Sequence, residues 1–322
     1  MINLLNNLIK CSSILIIIFF QIFSIAYTQT TLTNQGATIR TFPGSTVRVS
    51  GSVLNNTSGQ IYVNGDGSVT SAQWYVSQDI QNQSIISADG HIHLNRHWIN
   101  NGTYNYGVST VFLEGGNQNL AGTTATTFYN LTLASSGSGV KTQFINKSCT
   151  NILELNNQHL NTDIFTFFVL NTSLGAITRD FTTNTSGFVS SANGGYLSRA
   201  TNSTGTYLFP TGSTANNSLN TPGSGTIRYR PVEVVPNSNS LSSYTARLAN
   251  LDASTTTENV GTGYNLNSKE NLICTANSLF FHQINRSAGI APADIKVYYV
   301  PLSDGIWQGL ARWNLPSVDD TW

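Results

Sequence analysis

The chain has 322 residues, and its fifteen Lys and Arg balance fifteen Asp and Glu, so the formal net charge is zero. Only 9% of the residues are charged, far below the ~25% usual for soluble domains, so Asn, Ser, Thr, Gln and Gly must build the polar surface. Binding of a polyanion through a basic face is therefore disfavoured. Disorder is also disfavoured, because 39% of the residues are hydrophobic. This composition is typical of an exported, β-rich protein.

The first 28 residues have the pattern of a secretory signal peptide. Lys10 precedes an apolar run at 14–20, and the small residues Ser24 and Ala26 precede a cleavage site. The apolar core is shorter than the ~20 residues that a membrane span needs. We therefore expect residues 1–28 to be removed, without a lipoprotein anchor, and the mature chain to be extracellular or on the outer cell surface.

Removal of the signal leaves two cysteines, Cys149 and Cys274. In an oxidising compartment they can form a single disulfide, worth up to ~4–5 kcal/mol in the chain-entropy model because the closed loop is long. Two separate buried thiols are an equally weighted alternative, since free cysteine packs well in cores. The sequence leaves this choice open.

Short runs that alternate apolar and polar residues recur between Gly, Asn and Ser turns. They are Thr46–Val49, Gln60–Val63, His91–Leu94, Thr110–Leu113 and Phe128–Leu133. Alternation with a period of two, bounded by turn formers, predicts half-buried strands. The runs at 59–63, 90–94 and 109–113 also resemble one another, at offsets of 31 and then 19 residues. This imperfect repeat predicts a β-solenoid over residues 29–145, in which stacked rungs share one core.

A small-residue break at 134–139 leads us to place a soft domain boundary at about residue 145. Beyond it the predicted strands are longer and irregularly spaced, as at 164–170 and 226–235, which favours an antiparallel β-sandwich over residues 146–322. The predicted fold class is therefore all-β, with a solenoid-like part followed by a sandwich-like part. We also expect the natural chain to continue beyond Trp322, because tryptophan is a costly residue to leave at a frayed end.

Six segments carry a family resemblance, and they consist mostly of turn and core residues. They are Trp98–Thr103, Val111–Gly122, Phe128–Leu131, Gly194–Arg199, Tyr207–Gly212 and Arg228–Val232. Together they resemble a recurrent block of large secreted and cell-surface proteins of gliding-type Bacteroidota. The resemblance implies a surface or secreted protein of the adhesin or gliding-associated kind, of the type exported by type IX secretion. It brings no catalytic residue with it.

His91, His93 and His97 form the one cluster that suggests metal chemistry. On a strand, His91 and His93 point to the same face about 7 Å apart, a spacing that suits zinc or copper. We favour the alternative in which Ile92 and Leu94 face the core and the imidazoles face water. A structural zinc site usually needs four protein ligands and a catalytic one three.

Other candidate chemistry is weaker. The carboxylates Glu114, Glu154, Asp163, Asp180 and Glu233 are isolated in sequence, whereas glycoside hydrolysis needs two carboxyls about 5–9 Å apart in one cleft. The segment at 64–67, Asn-Gly-Asp-Gly, is more typical of a turn than of a calcium site. Nucleophile elbows, phosphate-binding loops and Cys-x-x-Cys pairs are absent from the sequence. We therefore predict no catalytic, cofactor-binding or metal-binding residue.

Aromatic side chains are the remaining candidates, because coplanar Trp and Tyr rings can stack on a saccharide. They are Trp74, Tyr75, Trp98, Tyr104, Tyr106, Trp307 and Trp313. Core filling is the more frequent fate of such residues. The sequence thus predicts a non-enzymatic structural or adhesive surface protein that contacts glycans or other surface proteins, and neither nucleic acid nor a membrane. The alternatives are a polysaccharide-binding or polysaccharide-degrading protein, and the scaffold portion of a longer chain.

Overall fold

The computed structural model describes residues 31–134, 139–182, 185–191, 193–213, 227–250 and 277–310. In these residues the chain is nearly all β and coils into a β-solenoid of about eight turns, with antiparallel strands later in the chain. The predicted all-β fold class is therefore confirmed. The predicted signal peptide, Cys274 and Trp313 lie outside the described residues. No helix in the described ranges is long and apolar enough to cross a membrane.

Each of the first four turns contributes one strand to each of three parallel sheets, A, B and C. The described strands of sheet A are β1 (Thr31–Asn34), β4 (Ser52–Asn55), β7 (Ile80–Asn82), β10 (Trp98–Asn100), β13 (Gln118–Ala121), β15 (Val140–Gln143), β17 (His159–Asn161), β20 (Phe188–Ser190), β23 (Thr211–Ser213) and β24 (Arg228–Tyr229). Those of sheet B are β2 (Thr38–Thr41), β5 (Gln60–Val63), β8 (Ile85–Ala88) and β11 (Thr103–Asn105). The last described strand of sheet B is β11.

Sheet C runs along the whole solenoid. Its described strands are β3 (Thr46–Val49), β6 (Gln73–Val76), β9 (His91–Leu94), β12 (Thr110–Leu113), β14 (Thr126–Leu133), β16 (Lys147–Glu154), β18 (Thr166–Val169), β19 (Ile177–Thr178), β21 (Tyr196–Thr201), β26 (Ser242–Ala249) and β27 (Phe281–Ala288). A separate sheet D contains β22 (Tyr207–Phe209), β25 (Val232–Pro236) and β28 (Ala293–Val297). The short helices are a 3₁₀ turn at Leu174–Ala176 and α1 at Pro301–Asp304.

The core lies inside the coil, because alternate residues of every parallel strand point inward. In sheet B, for example, Ile61 stacks in register with Ile86 of the next turn, and both are buried. Trp98 is fully buried, with its ring centroid 4.9 Å from that of Tyr104 and 5.6 Å from that of Phe128. Trp74 is buried as well. Core filling is therefore the fate of three of the predicted aromatic candidates.

A ladder of asparagines closes the corner between sheets A and B. Its members are the buried, register-matched ends of the first four strands of sheet A, Asn34, Asn55, Asn82 and Asn100. The Nδ2 of each of the first three donates to the Oδ1 of the next asparagine, at 3.0, 2.9 and 2.8 Å. Because a buried amide is costly unless it is hydrogen-bonded, the ladder satisfies the amides of its first three members and fixes the register of neighbouring turns.

We expect Asn82→Ala to lower the free energy of unfolding by about 2–3 kcal/mol, because it leaves buried partners without hydrogen bonds. Asn55 loses one of the two acceptors of its Nδ2, and Asn100 and the Thr103 carbonyl lose a donor. Urea denaturation measures the loss. The control is Asn105→Ala, since Asn105 is exposed and donates only to Ser87 Oγ among the described residues; it should change stability by less than about 0.5 kcal/mol. Equal losses in both variants would contradict a structural role of the ladder.

The described strands change from parallel to antiparallel pairing well beyond residue 145. Strand β21 pairs in parallel with β18 and antiparallel with β26, and β23 likewise pairs in parallel with β20 and antiparallel with β24. The small-residue break at 134–139 lies between β14 and β15, which belong to consecutive turns of the solenoid. Small residues suit a solenoid corner as well as a linker, so their presence alone does not mark the end of the stack.

Cys149 is a free, buried thiol of sheet C. Its Sγ donates to the carbonyls of Tyr129 at 3.0 Å and Ile152 at 3.1 Å. Burial raises the pKa of this thiol to about 11, which makes it unreactive at neutral pH. Of the two possibilities left open by the sequence, the structure shows a free thiol at Cys149.

Candidate functional site

A concave pocket of about 210 Å³ lies at the open edge of the C-terminal part; we call it the tyrosine pocket. Its lining is formed by Tyr229, Arg230, Pro231, Tyr298, Tyr299 and Val300. Tyr298 and Tyr299 are 43% and 39% exposed, respectively. Two partly exposed rings beside a proline give the apolar wall that is typical of a small-molecule site.

Antiparallel pairing in sheet D brings these distant residues together. Strand β25 begins directly after Pro231, and its first residue, Val232, lies in register with Val297, the last residue of β28. Tyr298 therefore emerges beside Pro231, and its backbone N–H donates to the Pro231 carbonyl at 3.3 Å. The pocket thus lies where the segment before β25 and the segment after β28 run side by side.

The floor of the pocket is held by a buried ion pair between Arg230 and Asp304, the last residue of α1. Asp304 is only 2% exposed. It accepts from Arg230 Nε and from Arg230 Nη2 at 2.6 Å, and also from the Val300 backbone N–H at 2.7 Å. Burial by itself would raise the pKa of Asp304, but the hydrogen bonds from Arg230 and Val300 outweigh it and hold that pKa below its usual value. Asp304 is therefore a structural carboxylate.

Polar groups of the rim face the tyrosine rings. The hydroxyl of Tyr298 is hydrogen-bonded to Glu233, which raises the pKa of Tyr298, and Lys296 Nζ lies 3.4 Å from Glu233 Oε2. The hydroxyl of Tyr299 donates to the Trp307 carbonyl at 3.1 Å. The pocket thus offers aromatic faces, and a carboxylate acceptor lies next to it beside Tyr298, an arrangement that suits a ligand rich in hydroxyl groups.

His93 and His97 are half-buried on the solenoid, whereas His91 is buried, so the expectation that the imidazoles face water is wrong for His91; each histidine has at least one ring nitrogen in a structural contact. His93 Nδ1 lies 2.6 Å from Glu114 Oε1 and its Nε2 lies 3.0 Å from Gln73 Oε1. His91 Nε2 lies 3.0 Å from the Ser68 carbonyl, and burial lowers the pKa of His91. The Nδ1 of His97 accepts from a backbone N–H. Within the described ranges, no three His, Cys, Asp or Glu side chains are grouped to hold a metal ion.

His93 belongs to a column of stacked side chains on the outer face of sheet C, which we call the ring column: Arg48, Tyr75, His93 and Phe112. The His93 centroid lies 4.3 Å from that of Tyr75 and 4.4 Å from that of Phe112, with interplanar angles of 14° and 4°. Arg48 covers the other face of Tyr75, at 4.2 Å. Because neighbouring side chains occupy the ring faces, Tyr75 has no free face for a saccharide.

The carboxylates singled out in the sequence are scattered over the structure. Glu154 accepts from Thr132 Oγ1 at 3.0 Å, Asp163 accepts from the Asn193 amide, and Asp180 accepts from the Thr182 backbone N–H at 2.8 Å. Glu114 and Glu233 have the partners given above. Asp66 closes a local turn by accepting from the Ser68 backbone N–H at 2.9 Å, and hydrogen bonds from Ser68 lower its pKa.

Sequence reasoning missed Tyr229, Tyr298 and Tyr299. One signal was available, because adjacent residues of a strand point to opposite faces, so the Tyr298–Tyr299 pair at a strand end cannot place both rings in the core. Of the predicted aromatic candidates, Trp307 lies close to the pocket, where its carbonyl holds Tyr299. No family model, curated protein or solved structure matches this chain.

Proposed function

We propose that this chain is a secreted or cell-surface structural and adhesive protein, without catalytic activity, that holds neutral glycans in its tyrosine pocket. The observation that carries the proposal is the pair of partly exposed rings, Tyr298 and Tyr299, that line one concave site, with the Glu233 carboxylate beside the Tyr298 hydroxyl. Ring faces contact the C–H groups of a sugar while an acceptor binds its hydroxyls. A rigid solenoid suits the presentation of such a site on a surface.

The distribution of charge supports a neutral ligand over an anionic one. The buried charged residues of the described part are seven cations and one carboxylate, namely Lys141, Lys147, Arg179, Arg199, Arg228, Arg230, Arg247 and Asp304. Outside this buried set, the same ranges leave five Lys or Arg against nine Asp or Glu. The described surface is therefore acidic although the whole chain is neutral, and an acidic surface repels uronate or sulfate groups.

Two features of the pocket favour binding without hydrolysis. Glycoside hydrolysis requires two carboxyls that both reach the substrate. Glu233 lies at the rim, but Asp304 is buried and its oxygens already accept from Arg230, Ser303 and the Val300 backbone. The alternative of a polysaccharide-degrading protein therefore has less support at this site than a binding role.

We expect Tyr298→Ala and Tyr299→Ala each to weaken the binding of a neutral hexose oligosaccharide about tenfold, because each ring contributes on the order of 1 kcal/mol. The measurement is a glycan array of neutral and uronate oligosaccharides, followed by calorimetric titration of the best neutral probe. Tyr75→Ala is the matched control, since it removes a half-buried tyrosine of the ring column, and it should leave the affinity unchanged.

A reducing-sugar release assay on the same oligosaccharides separates the alternatives. Binding without release supports the adhesive proposal. Release of sugar would overturn the non-catalytic part of it. A preference for uronates, or an equal loss of affinity in Tyr75→Ala, would overturn the assignment of the pocket. The absence of binding to every oligosaccharide on the array would overturn glycan binding.

A further inference from the structure

Two buried polar side chains lie at one interior corner of the solenoid without adequate partners. Gln143, the last residue of β15, is fully buried, and neither atom of its amide has a hydrogen-bond partner among the described residues. Lys147, the first residue of β16, is 1% exposed. Its Nζ lies 3.4 Å from the Ala121 carbonyl and 3.5 Å from Thr126 Oγ1, both long for a charged donor.

The register of the sheets places these two side chains around the same space. Gln143 pairs with Leu120 in sheet A, and Lys147 pairs with Thr126 in sheet C. Side chains from the two sheets meet at this corner, because Trp98 Nε1, from the strand next to that of Leu120, donates to Thr126 Oγ1 at 3.2 Å. Three residues connect Gln143 to Lys147, so both point into the interior from opposite sides of one tight corner.

The asparagine ladder ends beside this corner. Asn100 is its last member, and the Nδ2 of Asn100 has no hydrogen-bond partner in the described ranges. Ala121, whose carbonyl faces Lys147, pairs with Ile99, the neighbour of Asn100. Three poorly satisfied N–H donors therefore lie near this corner: the Lys147 ammonium, with long hydrogen bonds only, and the amides of Gln143 and Asn100, whose N–H groups have no partner in the described ranges.

A second buried lysine shows what a satisfied ammonium looks like in this protein. Lys141 is fully buried, and its Nζ donates to the carbonyls of Gly115 and, at 2.7 Å, Gly116. Lys147 lacks such close acceptors. Asp304 is the one carboxylate among the buried residues of the described part, and it is engaged with Arg230, so no protein anion is at hand for Lys147.

We propose that the corner formed by Gln143, Lys147 and Thr126 binds a small monovalent anion, with chloride as the physiological candidate. The ammonium supplies the charge and the Gln143 amide supplies a second donor, and both side chains are buried away from bulk water. A buried charge is stable only when it is paired and hydrogen-bonded. A single positive charge in a closed interior matches a monovalent ion and disfavours a divalent oxyanion.

The test compares unfolding in sodium chloride and in sodium gluconate at equal ionic strength, at neutral pH. When chloride is at ten times its dissociation constant, we expect the unfolding equilibrium constant of the unchanged chain to be about tenfold lower than in gluconate. Lys147→Met should abolish this difference. The control Lys141→Met removes an equally buried ammonium that has its own acceptors, and it should retain the chloride effect.

Gln143→Leu provides a second variant in case Lys147→Met does not fold, and it should weaken the chloride response while retaining the ammonium. Crystals grown with bromide should show an anomalous peak in contact with Lys147 Nζ. The proposal is overturned if the unchanged chain responds equally to both salts, or if Lys147→Met retains the full response. It is also overturned if the crystals show a water or a direct Lys147–Gln143 hydrogen bond in place of the ion.

Discussion

Replacing Asp304 with asparagine will lower the free energy of unfolding by about 3–5 kcal/mol, because it leaves buried arginines without their counter-charge. Asp304 Oδ1 lies 3.6 Å from Arg228 Nε, and both carboxylate oxygens bind Arg230. Each of these side chains is almost fully buried, so water cannot replace the lost charge. Equilibrium denaturation in urea, followed by tyrosine and tryptophan fluorescence, measures the change.

Glu233→Gln is the matched control, because it makes the same change from carboxylate to amide in an exposed ion pair. The Lys296 side chain that faces Glu233 is 64% exposed, and pairs of this kind contribute about 0–1 kcal/mol. A loss in Asp304→Asn no larger than that in Glu233→Gln would contradict a structural role for the buried pair. Arg230 lines the tyrosine pocket, so Asp304→Asn should also weaken glycan binding. Lys296→Met removes the exposed partner of Glu233 and should not affect the free energy of unfolding.

The alternation of apolar and polar residues was enough to predict the solenoid strands β3, β5, β9 and β12 and most of β14, because each strand has one face on the core and one outside. The apparent repeat was less informative. The run at 59–63 contains β5 of sheet B, whereas the runs at 90–94 and 109–113 contain β9 and β12 of sheet C. The offset of 31 residues therefore compared strands of two different faces. In the observed register His91 pairs with Gln73 and Thr110, which are 18 and 19 residues away.

The later turns of the solenoid could not be predicted from the sequence for a related physical reason. Beyond β11 the sheet C strands β14 and β16 are each eight residues long, and β16 pairs with two separate strands, β18 and β19, so the spacing of strands changes although the stacking continues. Buried cations add to the difficulty, because Lys and Arg normally indicate a solvent-exposed position. In β16, Lys147 occupies an inward position that a binary pattern assigns to an apolar residue.

The candidate site could not be predicted from sequence patterns because it depends on the register in which distant strands pair. Tyr229 and Tyr298 meet only because β25 and β28 pair antiparallel with Val232 opposite Val297. The histidines show the converse case. His91 and His93 do lie on one strand, β9, but the partners of His93, Glu114 and Gln73, come from neighbouring turns.

The two buried lysines make stability depend on pH in the alkaline range. Burial lowers the pKa of Lys141 and of Lys147 to about 8, whereas an unfolded lysine keeps its ordinary value near 10.4. Above about pH 8 the unfolded chain therefore binds more protons than the folded chain, so stability rises with pH. We expect a gain of about 2 kcal/mol between about pH 7.5 and pH 9 in chloride-free buffer.

Other groups set the upper end of this rise and provide its controls. Because burial raises the pKa of Cys149 to about 11, the unfolded thiol ionises first above about pH 9 and opposes further gain. Burial also raises the pKa of Tyr104, which opposes the gain in stability in the same way.

Lys141→Met and Lys147→Met should each remove about half of the rise in stability, and Lys296→Met, at an exposed site, should leave it intact. A flat or falling free energy of unfolding over this interval would contradict the buried ammonium groups. Chloride bound at Lys147 favours its charged form, so added chloride should reduce the Lys147 share of the rise and leave the Lys141 share unchanged.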